Sequence, residues 1–378
     1  MIKVLVDGRV NGADGIGRYT RQLIASLNEV APPEFDISVL EETSTARYTR
    51  REGAELARAA ETIGVDIVHA LDYRTPIEYM KAALVVTVHD VFRATDPYLC
   101  YDDERFAEKF GPESLAELKR LTASIKNPVP IKGSISVTHH GEFYRRMLVH
   151  SCSRADSVVV PTQSVAENLF SILDTPPVVT VSHFGVDHLD SVETNVSPIH
   201  TDGAPYFLYV GQARAHKGID LLLTAYLRSR APYTGVRLVF AGRDFKNGTI
   251  ASKSVDAALG GKAVRVGEIE DGDLVGLYRR ALALIHLSQH EGFGFTPLEA
   301  LSLGARVVVR DVAVLRETLG SHARFCSEDS QEIAELLNRL VSSPDTREAR
   351  NRRRSWAGRY RWRDHAESMI ALYRNVLE

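Results

Sequence analysis

Along this chain, short apolar runs alternate with longer stretches whose apolar residues recur every three or four positions. The pattern occurs twice. In the first half Ile2 to Asp7, Val65 to His69, Leu84 to Asp90, Ser157 to Thr162 and Val178 to Val181 read as buried strands. Helical spacing follows the first of them at Ile16, Tyr19, Leu23, Ile24 and Leu27. From Leu189 to Pro205 the chain turns polar, with Ser, Thr, Asn, Asp and Pro and little periodicity, as a linker does. The alternation restarts at Tyr206–Val210 and continues through Val236–Arg243, Val264–Ile269, Ala281–Leu287 and Arg306–Asp311. Strands separated by helices predict parallel sheets covered on both faces. At 378 residues the chain exceeds what one core usually organises. The expected fold class is α/β with two doubly wound, Rossmann-like domains at 1–190 and 206–360, joined by a linker at 191–205. Residues 93–150 are less regular, with Asp102-Asp103-Glu104, the Pro-bracketed turns Asn127-Pro128-Val129-Pro130, and His139-His140.

The stretch from Glu291 to Glu299 carries the most chemistry. It follows an apolar strand and precedes a short helix stopped by Gly304. Thr296 suits the N-cap, Pro297 the first helical position and Glu299 the third, a capping box. Gly292-Phe293-Gly294-Phe295 then forms a strand-to-helix loop whose amides suit an anion, phosphate above all. Acids do not bind phosphate, so Glu291 and Glu299 beside such a site point to hydroxyls. A nucleotide sugar offers both hydroxyls and phosphates. Capping alone explains Glu299; Glu291 has no such role.

Strand ends place further candidates, since ligands bind beyond the carboxyl ends of parallel strands. His69, Asp72, His89 and Asp90 fall there, as do Gly211, Arg214 and Lys217 after one strand and Arg243 after another. Two cations at a loop entering a helix can neutralise a departing diphosphate. The opening loop is spaced G-x-x-G-x-G (Gly12, Gly15, Gly17), not G-x-G-x-x-G, which weakens a nicotinamide reading. Asp271-x-Asp273 could hold a metal, but capping the following helix explains it, so no metal site is expected.

Two acids seven residues apart, around Gly-Phe-Gly-Phe and before Pro-Leu-Glu-Ala, closely resemble the E-x7-E motif of retaining glycosyltransferases of family 4. The resemblance covers nearly the whole chain except about 93–150. It implies the GT-B arrangement, two domains facing across a cleft, with the last helix (about 361–378) crossing back to the first. It implies metal-independent, retaining transfer from a nucleoside diphosphate sugar (UDP or GDP, GDP-mannose included) to a hydroxyl of a small-molecule, saccharide or glycolipid acceptor. Polysaccharide or natural-product glycoside synthesis is the implied setting. Glu291 would contact the donor sugar and Glu299 the ribose, with His89 beside the sugar. Arg214, Lys217, Gly211, Arg243 and the Gly292, Phe293, Gly294 and Phe295 loop would hold the diphosphate, and the backbone at Ile269 would read the base. Gly15 and Gly17 resemble the family's first loop against the phosphates; Tyr19, Asp72 and His139 would face the acceptor. His183-Phe184, Arg306, Ala313 and Val314 depart from the family pattern.

Composition narrows the alternatives. A net charge of −3 gives no drive toward nucleic acid, and no apolar run reaches membrane-spanning length, though peripheral membrane contact stays open. Three scattered cysteines suggest neither zinc nor disulfides and fit a cytoplasmic protein, as does the absence of a visible signal peptide. The expected partners are a nucleotide sugar and a hydroxylated acceptor, with no further cofactor and the oligomeric state open. Eight arginines between Arg347 and Arg363 could meet nucleic acid or lipid headgroups, but helical spacing favours a solvated face. A nucleotide-sugar-binding module without turnover and an NAD-linked dehydrogenase are the rival classes.

Overall fold

Each half of the chain builds one six-stranded parallel sheet in the computed structural model, which describes residues 1–12, 14–41, 43, 45–126, 138–194 and 203–378. The turns at 127–130 and the middle of the linker, 195–202, lie outside the described residues. The chain divides into two compact units, one of Met1–Phe184 with Trp362–Glu378, the other of Gly185–Arg361.

The first unit holds β1 (Ile2–Asp7), β2 (Phe35–Leu40), β3 (Ile67–Ala70), β4 (Ala83–Thr87), β5 (Ser157–Val160) and β6 (Val179–Val181). They lie in the order β2-β1-β3-β4-β5-β6. The central strands are apolar on both faces because helices cover both, and Val4, Val6, Ile67, Val68, Val85 and Val158 are fully buried. One covering helix, Trp362–Asn375, comes from the far end of the chain and buries Trp362, His365, Met369, Ile370 and Tyr373.

Its polar atoms are satisfied by a buried chain of hydrogen bonds. Tyr373 meets His69 Nδ1 at 2.7 Å, and His69 Nε2 meets Thr87 Oγ1 at 2.9 Å. Thr87 meets the Tyr19 hydroxyl at 3.1 Å; His365 joins Tyr19 to Ser182. Burial drives the pKa of both His69 and His365 down to about 3; His89 lowers His69 further, and His69, His89 and His183 lower His365 further. Both rings are neutral in the folded state and titrate near 6.5 in the unfolded chain. The unfolded chain therefore binds more protons between pH 6.5 and 3, so stability present above 6.5 is lost as the pH falls. The expected loss is about 2 kcal/mol per ring at pH 5. Thermal melts at pH 7.5 and 5 should show it, and His69→Gln should reduce the difference by the share of one ring; a melting temperature unchanged across that range refutes the assignment.

The second unit holds β7 (Tyr206–Val210), β8 (Arg237–Ala241), β9 (Ala263–Gly267), β10 (Ala283–His286), β11 (Val307–Arg310) and β12 (Arg324–Cys326). Their order is β12-β11-β10-β7-β8-β9. The order reverses between β7 and β10, so the loops leaving these two strands diverge and open a crevice at their carboxyl ends. Val239, Phe240, Ile285 and Val308 fill the interior.

Three local expectations change. Helix Asp271–Arg280 is preceded by Glu270 as N-cap, without a side-chain cap bond, so Asp271 and Asp273 lie in the first turn. There the helix dipole accommodates both charges without capping. The arginine run forms the helix Arg347–Ala357, which is not only a solvated face. Arg353 is buried and donates to the Gly304 carbonyl at 2.8 Å and to Asp345. It thereby satisfies a carbonyl of the turn that follows the helix Phe295–Ser302. Arg306, which resemblance makes an oddity, spans the Leu282 and Ser343 carbonyls at 2.7 and 2.9 Å. Among the described residues no helix is long and apolar enough to cross a membrane.

Candidate functional site

The loops leaving β7 and β10 carry the densest chemistry in the second unit. After β7, Tyr209 donates to the Gln212 carbonyl and Asp244 accepts from the Ala213 amide, which fixes the loop Gly211–Gly218. Gly211 and Gly242 stand back to back at the ends of β7 and β8. A Cβ on Gly242 (φ 146°) would lie 2.1 Å from the Gly211 carbonyl oxygen, so only glycine fits. A single 3₁₀ turn, Ala215–Lys217, then lifts Lys217 toward β10. Arg214 precedes that turn and is half-buried, with no ion-pair partner among the described residues.

Lys217 meets Glu291. Its Nζ donates to Glu291 Oε1 at 2.7 Å, and His286 Nε2 donates to the same oxygen at 2.8 Å. Burial alone would raise the pKa of Glu291, but the Lys217 charge and His286 outweigh it and hold the carboxyl well below the usual carboxylate range. Glu291 is therefore an anion throughout the physiological range, locked by one cation and one ring. Its second oxygen has no part in either contact.

Beyond Glu291 the chain enters the helix Phe295–Ser302, and here the capping box fails. The N-cap is Gly294 in the left-handed region (φ 85°), with no side-chain cap; Thr296 and Pro297 are the second and third helical residues. Gly294 starts the helix earlier than the local pattern suggests because its Cα abuts Leu315, and a Cβ would come within 2.6 Å of that side chain. The uncapped end suits an anion, and Pro297 removes one donor from the first turn. Phe293 is buried against Tyr360 at 5.7 Å between ring centres, so it packs while its neighbours shape the loop.

Glu299, freed from capping, is 2% exposed. Its carboxylate accepts from the Tyr278 hydroxyl at 3.2 Å and lies 3.4 Å from His188 Nε2. Arg243 is exposed at the end of β8, 3.9 Å from Asp244, and Ile269 is half-buried in the loop after β9.

In the first unit, His89 follows β4 and its Nε2 donates to the Leu71 carbonyl at 2.9 Å. A carbonyl only accepts, so Nε2 carries the proton and Nδ1 is left as an acceptor. Burial lowers its pKa, the bond to Leu71 opposing. Tyr19 stands edge-on to His89 at 4.8 Å and is wholly buried. It backs the histidine and has no surface for an acceptor, which corrects its expected role. Asp72 is also committed inward: it is 8% exposed and holds Arg74 through its amide and guanidinium. His139 is exposed at the first turn of helix His139–Arg154, paired with Asp103 at 2.9 Å. Gly15 and Gly17 open the first helix, and the Gly17 amide is taken by Asp14. A Cβ on Gly17 would overlap the Gly12 backbone, so its smallness serves the loop's own packing.

The sequence reading missed His286, Tyr278 and His188. His286 had a signal, since it ends an apolar strand as His89 nearly does. Tyr278 and His188 had none, being brought to Glu299 by tertiary folding alone.

Residues 193–355 match the family described as Glycosyl transferases group 1. The serotype-specific mannosyltransferase WbdA of Escherichia coli is 27% identical over 356 residues, covering 89% of this chain and 42% of that protein. The chain thus spans less than half the length of that relative. The GDP-mannose:cellobiosyl-diphosphopolyprenol alpha-mannosyltransferase of Komagataeibacter xylinus is 29% identical over 178 residues, 45% of each chain. Among solved structures, sucrose-phosphate synthase from Thermosynechococcus elongatus superposes with a TM-score of 0.72 at 16% identity, covering 100% of this chain and 99% of that one. That likeness extends over both units and identifies the GT-B fold class. The stretch 193–355, which carries Glu291 after β10 and Glu299 on the helix that follows, is thus similar to the group 1 glycosyltransferases.

Proposed function

We propose that this chain is a retaining, metal-independent glycosyltransferase that moves a sugar from a nucleoside diphosphate to an acceptor hydroxyl. The observation that carries the proposal is the Lys217–Glu291–His286 cluster beside an uncapped helix N-terminus at the strand-order reversal. Lys217, Arg214 and the amides after Gly292 take the diphosphate, and the unpaired Glu291 oxygen accepts from a sugar hydroxyl. Arg243 flanks the diphosphate, and the backbone near Ile269 meets the base. Ribose hydroxyls reach Glu299 by displacing His188. The mannosyltransferase relatives make GDP-mannose the first donor to test and UDP-sugars the second.

In the proposed step the bond between the sugar anomeric carbon and the β-phosphate oxygen breaks as the acceptor oxygen bonds to the same face of that carbon. The acceptor proton passes to the departing β-phosphate, which leaves as nucleoside diphosphate. Lys217 and Arg214 stabilise the charge that grows on it. No group beyond donor and acceptor is required.

The test is transfer from α-linked GDP- and UDP-sugars with anomer analysis of the product, with and without chelator. An α-linked product formed at the same rate with chelator is expected. Inversion, or activity lost to chelator and restored by manganese, overturns the reading. Donor binding without release of nucleoside diphosphate under any acceptor points to the non-catalytic module instead.

A further inference from the structure

A polar cavity lies in the second unit, apart from the donor site. It has a volume of about 670 Å³, starts at the amino-terminal ends of β11 and β12 and runs along the edge strand β12, between the helices Ser330–Ser342 and Arg347–Ala357. The loops that hold Lys217 and Glu291 leave the opposite, carboxyl ends of the sheet. The cavity's wall is cationic: Arg306, Arg324, Arg339 and Arg352 all line it.

These guanidinium groups differ in how they are held. Arg306 is fixed by two carbonyls through Nε and Nη1, which leaves Nη2 as a donor. Arg352 is tethered to Glu348 through one nitrogen. Arg324 and Arg339 are exposed and pair with no carboxylate among the described residues. Of the two acids on the wall, Asp345 is already spent on Arg350 and Arg353. Glu332 is the one acid left, and it accepts from the Ser327 hydroxyl. A concave surface with four guanidinium groups besides the committed Arg353, and with one carboxylate bonded to a hydroxyl, repels cations and attracts anions. Arginine favours phosphate over a lone carboxylate because its planar fork donates two parallel bonds. Phe325, Leu336 and Leu340 give the cavity apolar contacts for the body of a ligand. Its volume falls within the range of small-molecule sites.

We propose that this cavity binds a phosphate or diphosphate group borne by a small molecule or a lipid headgroup, with Arg324 and Arg339 as its principal contacts. The site is independent of the donor reading, since it shares no residue with it. It also gives the arginine-rich segment a role that transfer does not need. Nucleic acid is disfavoured, because the cations converge on one hollow rather than forming a stripe, and the chain carries a net charge of −3.

The experiment is a calorimetric titration of inorganic pyrophosphate into the full chain and into Arg324→Glu/Arg339→Glu. Both residues are exposed, so the variant should melt like the wild type; Arg324→Gln/Arg339→Gln serves if the reversal does not fold. The wild type is expected to bind one more pyrophosphate than the variant, or to bind it roughly tenfold tighter or better at the affected site. Where the donor reading holds, the numbers are two and one; where it fails, one and none. A parallel flotation arm uses vesicles of phosphatidylglycerol or of phosphatidylcholine. Recruitment to the anionic vesicles alone, lost in the variant, identifies the headgroup as the source; pyrophosphate binding without recruitment identifies a soluble phosphoester. Identical titrations for wild type and variant, with no difference in flotation, overturn the proposal.

Discussion

Glu291→Gln should abolish most transfer while leaving nucleoside diphosphate binding intact or tighter. The carboxylate is now shared between Lys217 and His286 through one oxygen. Replacing it by an amide of equal size keeps an oxygen for one of these donors but removes the charge. Lys217 then loses its competitor and is freer to meet the diphosphate. The donor sugar loses a charged acceptor, and with it the stronger hydrogen bond that orients the ring. Loss of one such contact in the transition state costs on the order of 10²–10³ in turnover. Stability should change little, because the variant leaves no unpaired carboxylate. Lys217→Ala is the contrasting case, as it strands a buried anion and should lower the melting temperature as well as diphosphate affinity. The decisive pair of measurements is turnover and diphosphate affinity for Glu291→Gln. Equal losses in both would show that the residue merely holds the loop, and an unchanged turnover would remove Glu291 from the mechanism.

Ending the chain at Arg361 should unfold the first unit and spare the second. The helix that is lost buries Trp362, Ala366, Met369, Ile370, Leu372 and Tyr373. Five of these are large, and each contributes about 1.5–3 kcal/mol by leaving water. Their sum rivals the 5–15 kcal/mol that holds a whole domain together. The hydrogen bonds from Tyr373 to His69 and from His365 to Tyr19 and Ser182 vanish too, leaving buried polar atoms without partners. Two cysteines report each unit separately: Cys152 is buried in the first and Cys326 in the second. Thiol labelling of the truncated chain should modify Cys152 quickly and Cys326 slowly. Equal protection of both would mean that the first sheet stands without its last helix. Tyr373→Phe is the milder form, expected to cost about 1–3 kcal/mol by orphaning His69 Nδ1.

The strands, the two-unit plan and the grouping of Glu291 with Lys217 were legible because each rests on local pattern or on the rule that parallel strands gather their carboxyl ends. Apolar runs such as Ala283–His286 announce themselves, and the loops after β7 and β10 flank one crevice because the strand order reverses between them. The role of Glu299 was not legible. Thr296-Pro297-Leu298-Glu299 is a good local capping pattern, yet Gly294 packs against Leu315 and starts the helix early, and Glu299 turns inward to Tyr278 and His188. Tyr19 misled for a similar reason: a residue just past a glycine loop looks accessible until the final helix closes over it. Arg353 looked solvated because nothing in its neighbourhood indicates that the Gly304 carbonyl lies within reach.

The helix Trp362–Asn375 belongs to the first unit although the whole second unit precedes it. During synthesis the strands β1 to β6 leave the ribosome long before the helix that seals them. Roughly 180 residues intervene, which at 5–20 residues per second is about 10–35 seconds of waiting. The second unit can finish folding in that interval, since its own residues are contiguous. The first must hold its exposed sheet face until the last helix arrives, and that face is where a chaperone would find purchase on the nascent chain. Slowing translation after residue 184 should therefore raise aggregation of this protein.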